Sequence, residues 1–346
     1  MARYLAFRDP PAPMRAAVLL VNLGTPAAPT PAAVRRYLGE FLADPRIIEL
    51  PRWLWRLVLH GVILRVRPRR SAHAYRKVWG ERGSPLEIGS AALAARLGER
   101  LATSGTGTTT PVVRHAMRYG EPSIRRVMRE IGALGLRRLL VVPLFPQYSA
   151  TTTASVLDAL GAELRGWRVV PELRFVSDYH DDALHIEALA RSVEAHWRAH
   201  GRGDRLVLSF HGLPERYVRE GDPYRAHCEG TAAALRSRLG LDVTALTVAF
   251  QSRVGREPWL QPYTDQMLEA LPKQGVRRVD VMCPGFAVDC LETLEEIAMA
   301  GRDSFLAAGG EDFHYIPCLN DGVEQVAALA ALVRRHAGGW LDGVPP

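Results

Sequence analysis

Short, predominantly apolar runs recur along this chain, ending in glycine, proline or a polar residue. Each gives way to a stretch whose apolar residues return every three or four positions. Residues 16–22, 112–117, 139–143, 167–171, 205–210, 243–250 and 279–283 read as buried strands. Helices are predicted between them, over 32–42, 86–101, 122–134, 181–200, 224–239, 262–271 and 291–308. Strands joined through helices must lie parallel, so the expected class is α/β with doubly wound parallel sheets. The strand and helix pattern restarts midway through 346 residues, a length that suits about two cores. Two similar Rossmann-like halves with a cleft between them are therefore expected. They span 15–165 and 166–320, followed by a terminal helical segment, 321–346, that packs back on the body.

Within that pattern, Phe210-His211-Gly212-Leu213-Pro214 places a histidine where an apolar strand meets two chain breakers. Open α/β sheets bind their ligands at the carboxyl ends of strands. A second stretch, Asp289-Cys290-Leu291-Glu292-Thr293-Leu294-Glu295-Glu296, follows another strand ended by Pro284-Gly285. One imidazole and a group of carboxylates, each just past a strand, make a candidate metal or proton-transfer site. On an α-helix Glu292, Glu295 and Glu296 stand at i, i+3 and i+4 and share a face. The competing reading is a solvated acidic first turn favoured by the helix dipole.

Composition narrows the class further. With 47% hydrophobic and 23% charged residues the chain is ordinarily globular, and a net charge of +7 leaves nucleic acid, acidic lipid or an anionic small molecule as partners. No nucleic-acid motif appears, so a nucleic-acid partner is not expected. Neither G-x-G-x-x-G nor a Walker loop follows the first strand, which argues against a nucleotide. Cys228, Cys283, Cys290 and Cys318 show no Cys-x-x-Cys pair and read as reduced thiols. There is no signal peptide and no run long enough to span a bilayer, so a cytoplasmic protein is expected, soluble or peripheral. Residues 51–76 combine Trp53, Leu54, Trp55, Leu57 and Val58 with arginine-rich flanks. They read either as a core-facing helix or as an apolar lip for a greasy ligand or a membrane surface.

Taken together the motifs carry a resemblance. Asn22-Leu23-Gly24-Thr25-Pro26, Gly83-Ser84-Pro85-Leu86, Met117-Arg118-Tyr119, Pro146-Gln147-Tyr148-Ser149, Ser209-Phe210-His211-Gly212-Leu213-Pro214, Gln251-Ser252-Arg253-Val254-Gly255, Pro258-Trp259-Leu260 and Cys283-Pro284-Gly285-Phe286 with Glu292-Thr293-Leu294-Glu295-Glu296 resemble the ferrochelatases, in order, from about residue 16 to 321. The resemblance implies a lyase that inserts Fe²⁺, as substrate, into protoporphyrin IX on two Rossmann-like domains without a nucleotide. By position, His211 and Glu292 match the family's essential histidine and carboxylate, implicated in metal binding or in removing pyrrole protons, and Glu296 matches a further acidic residue leading from the site. Some members carry a [2Fe–2S] cluster. Here Ala150 stands where an internal ligand would be and no cysteine follows Cys318, so no iron–sulfur cluster is expected.

Those roles are chemically coherent. A neutral imidazole can take a pyrrole proton near neutral pH and is a borderline ligand for Fe²⁺, while a carboxylate adds a harder oxygen. One His facing one Glu is an incomplete site, suited to handing a metal on. Leu23, Tyr119, Trp259 and the 53–58 lip are candidates for the walls of the porphyrin site; Arg118, Tyr148 and Ser149 are candidates to bind its propionates. Each has a core-packing or solvated-surface alternative. Coproporphyrin III as substrate, a non-catalytic tetrapyrrole carrier and a cobalt or nickel chelatase stand as alternative functions. A monomer or homodimer, with peripheral contact on the cytoplasmic face of the inner membrane, is compatible with the sequence.

Overall fold

Six of the eight described strands form where the apolar runs stand. In the computed structural model, which describes residues 4–7, 16–103, 110–255 and 257–341, the strands are β1 (Ala16–Gly24), β2 (Val112–Tyr119), β3 (Arg138–Pro143), β4 (Glu172–Phe175), β5 (Arg205–His211), β6 (Leu246–Gln251), β7 (Arg278–Met282) and β8 (Asp312–Ile316). Two, β4 and β8, form outside those runs. Residues 1–14, which the sequence reads as a proline-rich leader, and 103–110, which it reads as a polar loop, fall mostly outside the described residues. β1 is buried along almost its whole length, as a central parallel strand covered by helices on both faces must be.

Two four-stranded sheets result, ordered β2-β1-β3-β4 and β6-β5-β7-β8, with every pairing parallel. Helices Pro85–Thr103, Ile124–Ala133, Ala183–His200 and Tyr224–Arg238 provide crossovers or packing layers. Side chains fix their starts. Asp182 accepts from the backbone N–H groups of Leu184 and His185 at 3.0 and 3.2 Å, capping the helix that follows. At the end of β1, Gly24 has φ +121°, and a Cβ there would lie 1.8 Å from the carbonyl oxygen of Tyr119. Only glycine lets β1 turn so close to the end of β2.

One compact unit takes residues through 144, with 150–177 and 326 onward, and the other takes 145–149 and 178–325. The division expected at 165/166 shifts because β4, the last strand before it, pairs with β3 and belongs to the first sheet. Residues 167–171, expected to be that strand, stand just outside it. Pro171 has no N–H to offer a ladder, and pairing begins at Glu172. In the first unit Arg174 donates to the carbonyls of His336 and Gly338 at 2.9 and 2.8 Å, and Trp340 Nε1 donates to Glu172 at 3.2 Å. These bonds hold the end of the helix Val323–His336 against β4.

The 51–76 stretch is helical, but which face is buried departs from the simplest reading. Helix Arg52–Val58 passes through a wide i→i+5 turn, Leu59–Ile63, into helix Leu64–Val78. Trp55, Leu59 and Leu64 face the core, and Trp55 Nε1 donates to the carbonyl of Leu42 at 2.6 Å. Trp53 and Leu57 are 70% and 66% exposed, with Leu54, Val58 and Val62 exposed beside them. No helix among the described residues is long and apolar enough to cross a membrane.

Candidate active site

β5 carries His211 as its last residue, opposite Gln251 of β6. The next residue must be small: a Cβ on Gly212 would come within 2.8 Å of the Gln251 carbonyl and 3.1 Å of the Trp259 ring. Gly212 N–H donates to Gln251 O at 2.7 Å, and residues 258–260 run alongside 213–215 through Glu215 N to Pro258 O at 3.0 Å and Leu260 N to Leu213 O at 2.9 Å. Trp259 is thereby laid against the strand end. Its ring and that of Phe286, beyond β7, each lie 6.5 Å from the His211 ring, tilted by 52°. In a sheet ordered 6-5-7-8, the ends of β5 and β7 flank the point where the winding reverses, the usual place for a ligand.

His211 Nδ1 stands 2.7 Å from the Gly212 carbonyl oxygen. A carbonyl can only accept, so Nδ1 carries the hydrogen and the lone pair of the neutral ring lies on Nε2. Beneath the ring is a buried polar chain. Ser209 Oγ meets Thr264 Oγ1 at 2.8 Å and donates to Gln251 Oε1 at 2.8 Å, while Gln251 Nε2 donates to the backbone carbonyl of Glu292 at 2.8 Å. This chain fastens the first residue of a helix to the strands that carry His211. Asp289 fixes the approach to that helix, accepting from Tyr315 Oη at 2.5 Å, Asn320 Nδ2 at 2.8 Å and Thr293 Oγ1 at 2.9 Å.

The helix Glu292–Gly301 is wound i→i+5, a rare form that gathers at functional sites. In the wider winding a residue four ahead nearly completes a turn and one three ahead falls well short. Glu292 and Glu296 therefore share a face more closely than either does with Glu295. Glu296 accepts from Ser252 N–H at 2.7 Å through one oxygen and from Ser252 Oγ at 2.5 Å through the other. Ser252 adopts φ +66°, an unfavourable conformation for a non-glycine residue, and it directs both donors at the carboxylate. Burial pushes the Glu296 carboxyl above its ordinary value. Ser252's bonds and the charge of His211 pull it down, and the charge of Glu292 pushes it up again. Glu296 is thus within electrostatic reach of both His211 and Glu292.

The other expected ligand contacts stand on other elements. Ser149 is buried and donates to Asp222 at 3.0 Å. Leu23, half-buried near the end of β1, and Arg118 and Tyr119 of β2 belong to the first unit. Tyr119 is fully buried, its hydroxyl 2.7 Å from Asp44 and 3.1 Å from Ser155 Oγ, and burial raises its pKa. No face of that ring is left for a ligand, so its expected part in a wall is corrected to core packing. Arg118 donates to Asp44 at 2.5 Å and to Ser155 Oγ at 2.7 Å, so its guanidinium already has internal acceptors. Sequence reasoning did not single out Gln251, Ser252 or Phe286 for a role in the site. The available signal was a polar Gln-Ser pair closing the strand beside β5. The four cysteines are buried thiols whose pKa values burial raises.

A family model described as Ferrochelatase matches residues 15–337. The chain is 53% identical over 328 residues to a Ferrochelatase of Marinobacter nauticus, covering 95% of this chain and 88% of that one. It is 54% identical over 332 residues to one of Methylibium petroleiphilum, covering 96% and 91%. Among solved structures it resembles SirB from Bacillus subtilis with Fe³⁺, at TM-score 0.56 and 14% identity over 96% of this chain and all of that one. It also resembles CbiX, described as the terminal enzyme of sirohaem synthesis in denitrifying bacteria, at TM-score 0.51 and 16% identity over 92% and 98%. At those identities the two structures bear on the fold alone.

Proposed function

The chain belongs to the ferrochelatase family, a family of lyases that take Fe²⁺ as substrate, and on that premise we propose that His211, Glu292 and Glu296 carry the insertion of the ion into protoporphyrin IX. The single observation that best supports this reading is that His211, whose Nδ1 is engaged with the Gly212 carbonyl and whose Nε2 is left for the substrate, lies within electrostatic reach of Glu296, a carboxylate that burial pushes up.

Insertion breaks two pyrrole N–H bonds, releases two protons and leaves Fe²⁺ bound to four ring nitrogens. His211 Nε2 takes the pyrrole proton as the general base. Glu292, at the mouth of the wide helix, offers the ion an oxygen ligand as it sheds water. Glu296 receives protons one turn further along and passes them from the site. Trp259 and Phe286 supply apolar faces beside the reacting ring. The exposed stripe of Trp53, Leu54, Leu57 and Val58 serves as a contact with the cytoplasmic face of the inner membrane, where its neighbouring arginines would meet acidic headgroups.

The curated relatives are enzymes by name, which disfavours a non-catalytic carrier. Glu292→Gln is expected to lower the rate of haem formation by about 10² or more, an effect in the range of losing one acid–base or electrostatic group. Porphyrin binding, followed by quenching of tryptophan fluorescence, should be unchanged. Insertion at the normal rate in that variant would remove Glu292 from the mechanism.

A further inference from the structure

Three polar atoms converge inside the second unit and find no hydrogen-bond partner among the described residues: Nε2 of His196, Oδ1 of Asp280 and Nδ1 of His314. They lie within 4.8 Å of one another, with Asp280 Oδ1 3.7 Å from His196 and 3.4 Å from His314. The Asp280 side chain is 1% exposed and that of His196 10%. A buried carboxylate oxygen flanked by two imidazole nitrogens, none of them satisfied, is costly unless something fills the gap. We propose that His196, Asp280 and His314 bind a divalent transition-metal ion of borderline softness, with Zn²⁺ as the type, at a site apart from the substrate site at His211.

The donor set selects the ion. Two imidazoles and one carboxylate suit Zn²⁺ or Fe²⁺, whereas Mg²⁺ and Ca²⁺ seek oxygen throughout. Ligand atoms about 2.1 Å from a tetrahedral ion stand about 3.4 Å apart, close to both separations seen here. The groups behind the ligands are also in place. Asp280 Oδ2 accepts from Trp197 Nε1 at 2.7 Å and from Gly203 N–H at 2.9 Å, which leaves Oδ1 to face the ion. His314 Nε2 lies 3.3 Å from Asp312, so Nδ1 is the nitrogen left to coordinate, in the carboxylate–histidine–metal arrangement that orients such rings. The His200 ring, its centroid 4.7 Å from that of His196 and 5.4 Å from that of His314, is a candidate fourth ligand.

This is a different place from the substrate site. Asp280 pairs with Leu206 on β5, five residues before His211, so the two sites lie roughly 16 Å apart along the strand. An ion here would clasp the helix Ala183–His200 to β7 and the edge strand β8, which present His196, Asp280 and His314 respectively. The alternative is a histidine–carboxylate cluster, with His314 between Asp280 and Asp312, that holds no metal.

Equilibrium Zn²⁺ binding separates the two. A full-length chain with His211→Ala and Glu292→Gln, which disables the substrate site, would be stripped with chelator and titrated with Zn²⁺ against a chromophoric competitor. The same background carrying Asp280→Asn or His314→Gln would be titrated beside it. One tight ion per chain is expected in the background, weakened at least hundredfold in either added variant. Co²⁺ in its place should give the visible absorption of a low-coordinate site. The thermal midpoint of the background chain itself should rise by about 5 °C with saturating Zn²⁺, a readout that depends on neither added variant folding. No tight ion in the background chain, or equal binding in all three, would overturn the proposal.

Discussion

Glu296 shows how the site adjusts a single group. Its carboxyl is pushed up chiefly by burial, against the pull of two bonds from Ser252. Between the ordinary glutamate value and its raised value, the folded protein binds more protons at this residue than the unfolded chain does. Stability contributed here is therefore present at low pH and falls as pH rises through the raised value. Glu296→Gln, which keeps the shape and at least one bond to Ser252, is expected to flatten that fall. Its stability near neutral pH should stay within about 1 kcal/mol of the natural chain or exceed it. Urea unfolding of both proteins across pH 4 to 8 checks this; parallel pH profiles would show that Glu296 does not titrate in that window. The residues legible beforehand were those with local signatures: His211 ends an apolar run before Gly212 and Pro214, and Glu292 follows the turn beyond β7. Tyr119 was misplaced as a ligand wall because what holds it, Asp44 and Ser155, lies 75 and 36 residues away in sequence. Ser252 escaped for a related reason, since its φ of +66° and its partner 44 residues on leave no trace in composition.

Elements were legible in kind more often than in orientation. The 51–76 segment is helical as expected, but apolar residues lie on both of its faces, so spacing alone does not say which face is buried. The structure puts Trp55 inward and Trp53 outward. Trp55→Ala should therefore cost about 3–5 kcal/mol through a cavity and a lost buried bond, while Trp53→Ala stays within about 0.5 kcal/mol. Denaturant midpoints of the two variants decide it, and equal losses would mean that the exposed tryptophan is covered. The wide winding over Glu292–Gly301 could not be read from residue types, because the same side chains also suit an α-helix. What the buried Ser209–Gln251–Glu292 chain contributes is a fixed starting point for that helix beside His211.

Across the whole molecule the two sheets repeat one order, so that β5 holds in the second the place β1 holds in the first. The class followed from the alternation of apolar runs and helical stretches. β4 and β8 were harder to place because edge strands are short, partly exposed and rich in charge, as Glu172-Leu173-Arg174-Phe175 and Asp312-Phe313-His314-Tyr315-Ile316 are. Assigning β4 to the first sheet moves the expected division of the chain from 165 to 177. The central claim joins this topology to chemistry: the strand at the switch point of the second sheet presents the base for metal insertion. Anaerobic conversion of protoporphyrin IX and Fe²⁺ to haem, followed by absorbance for the natural chain and for His211→Ala, tests it most directly. Turnover by the natural chain, with a rate at least about 10² lower in the variant and porphyrin affinity retained, is the expected result. Comparable turnover in a folded His211→Ala protein, or loss of porphyrin binding in its place, would contradict the role assigned to His211.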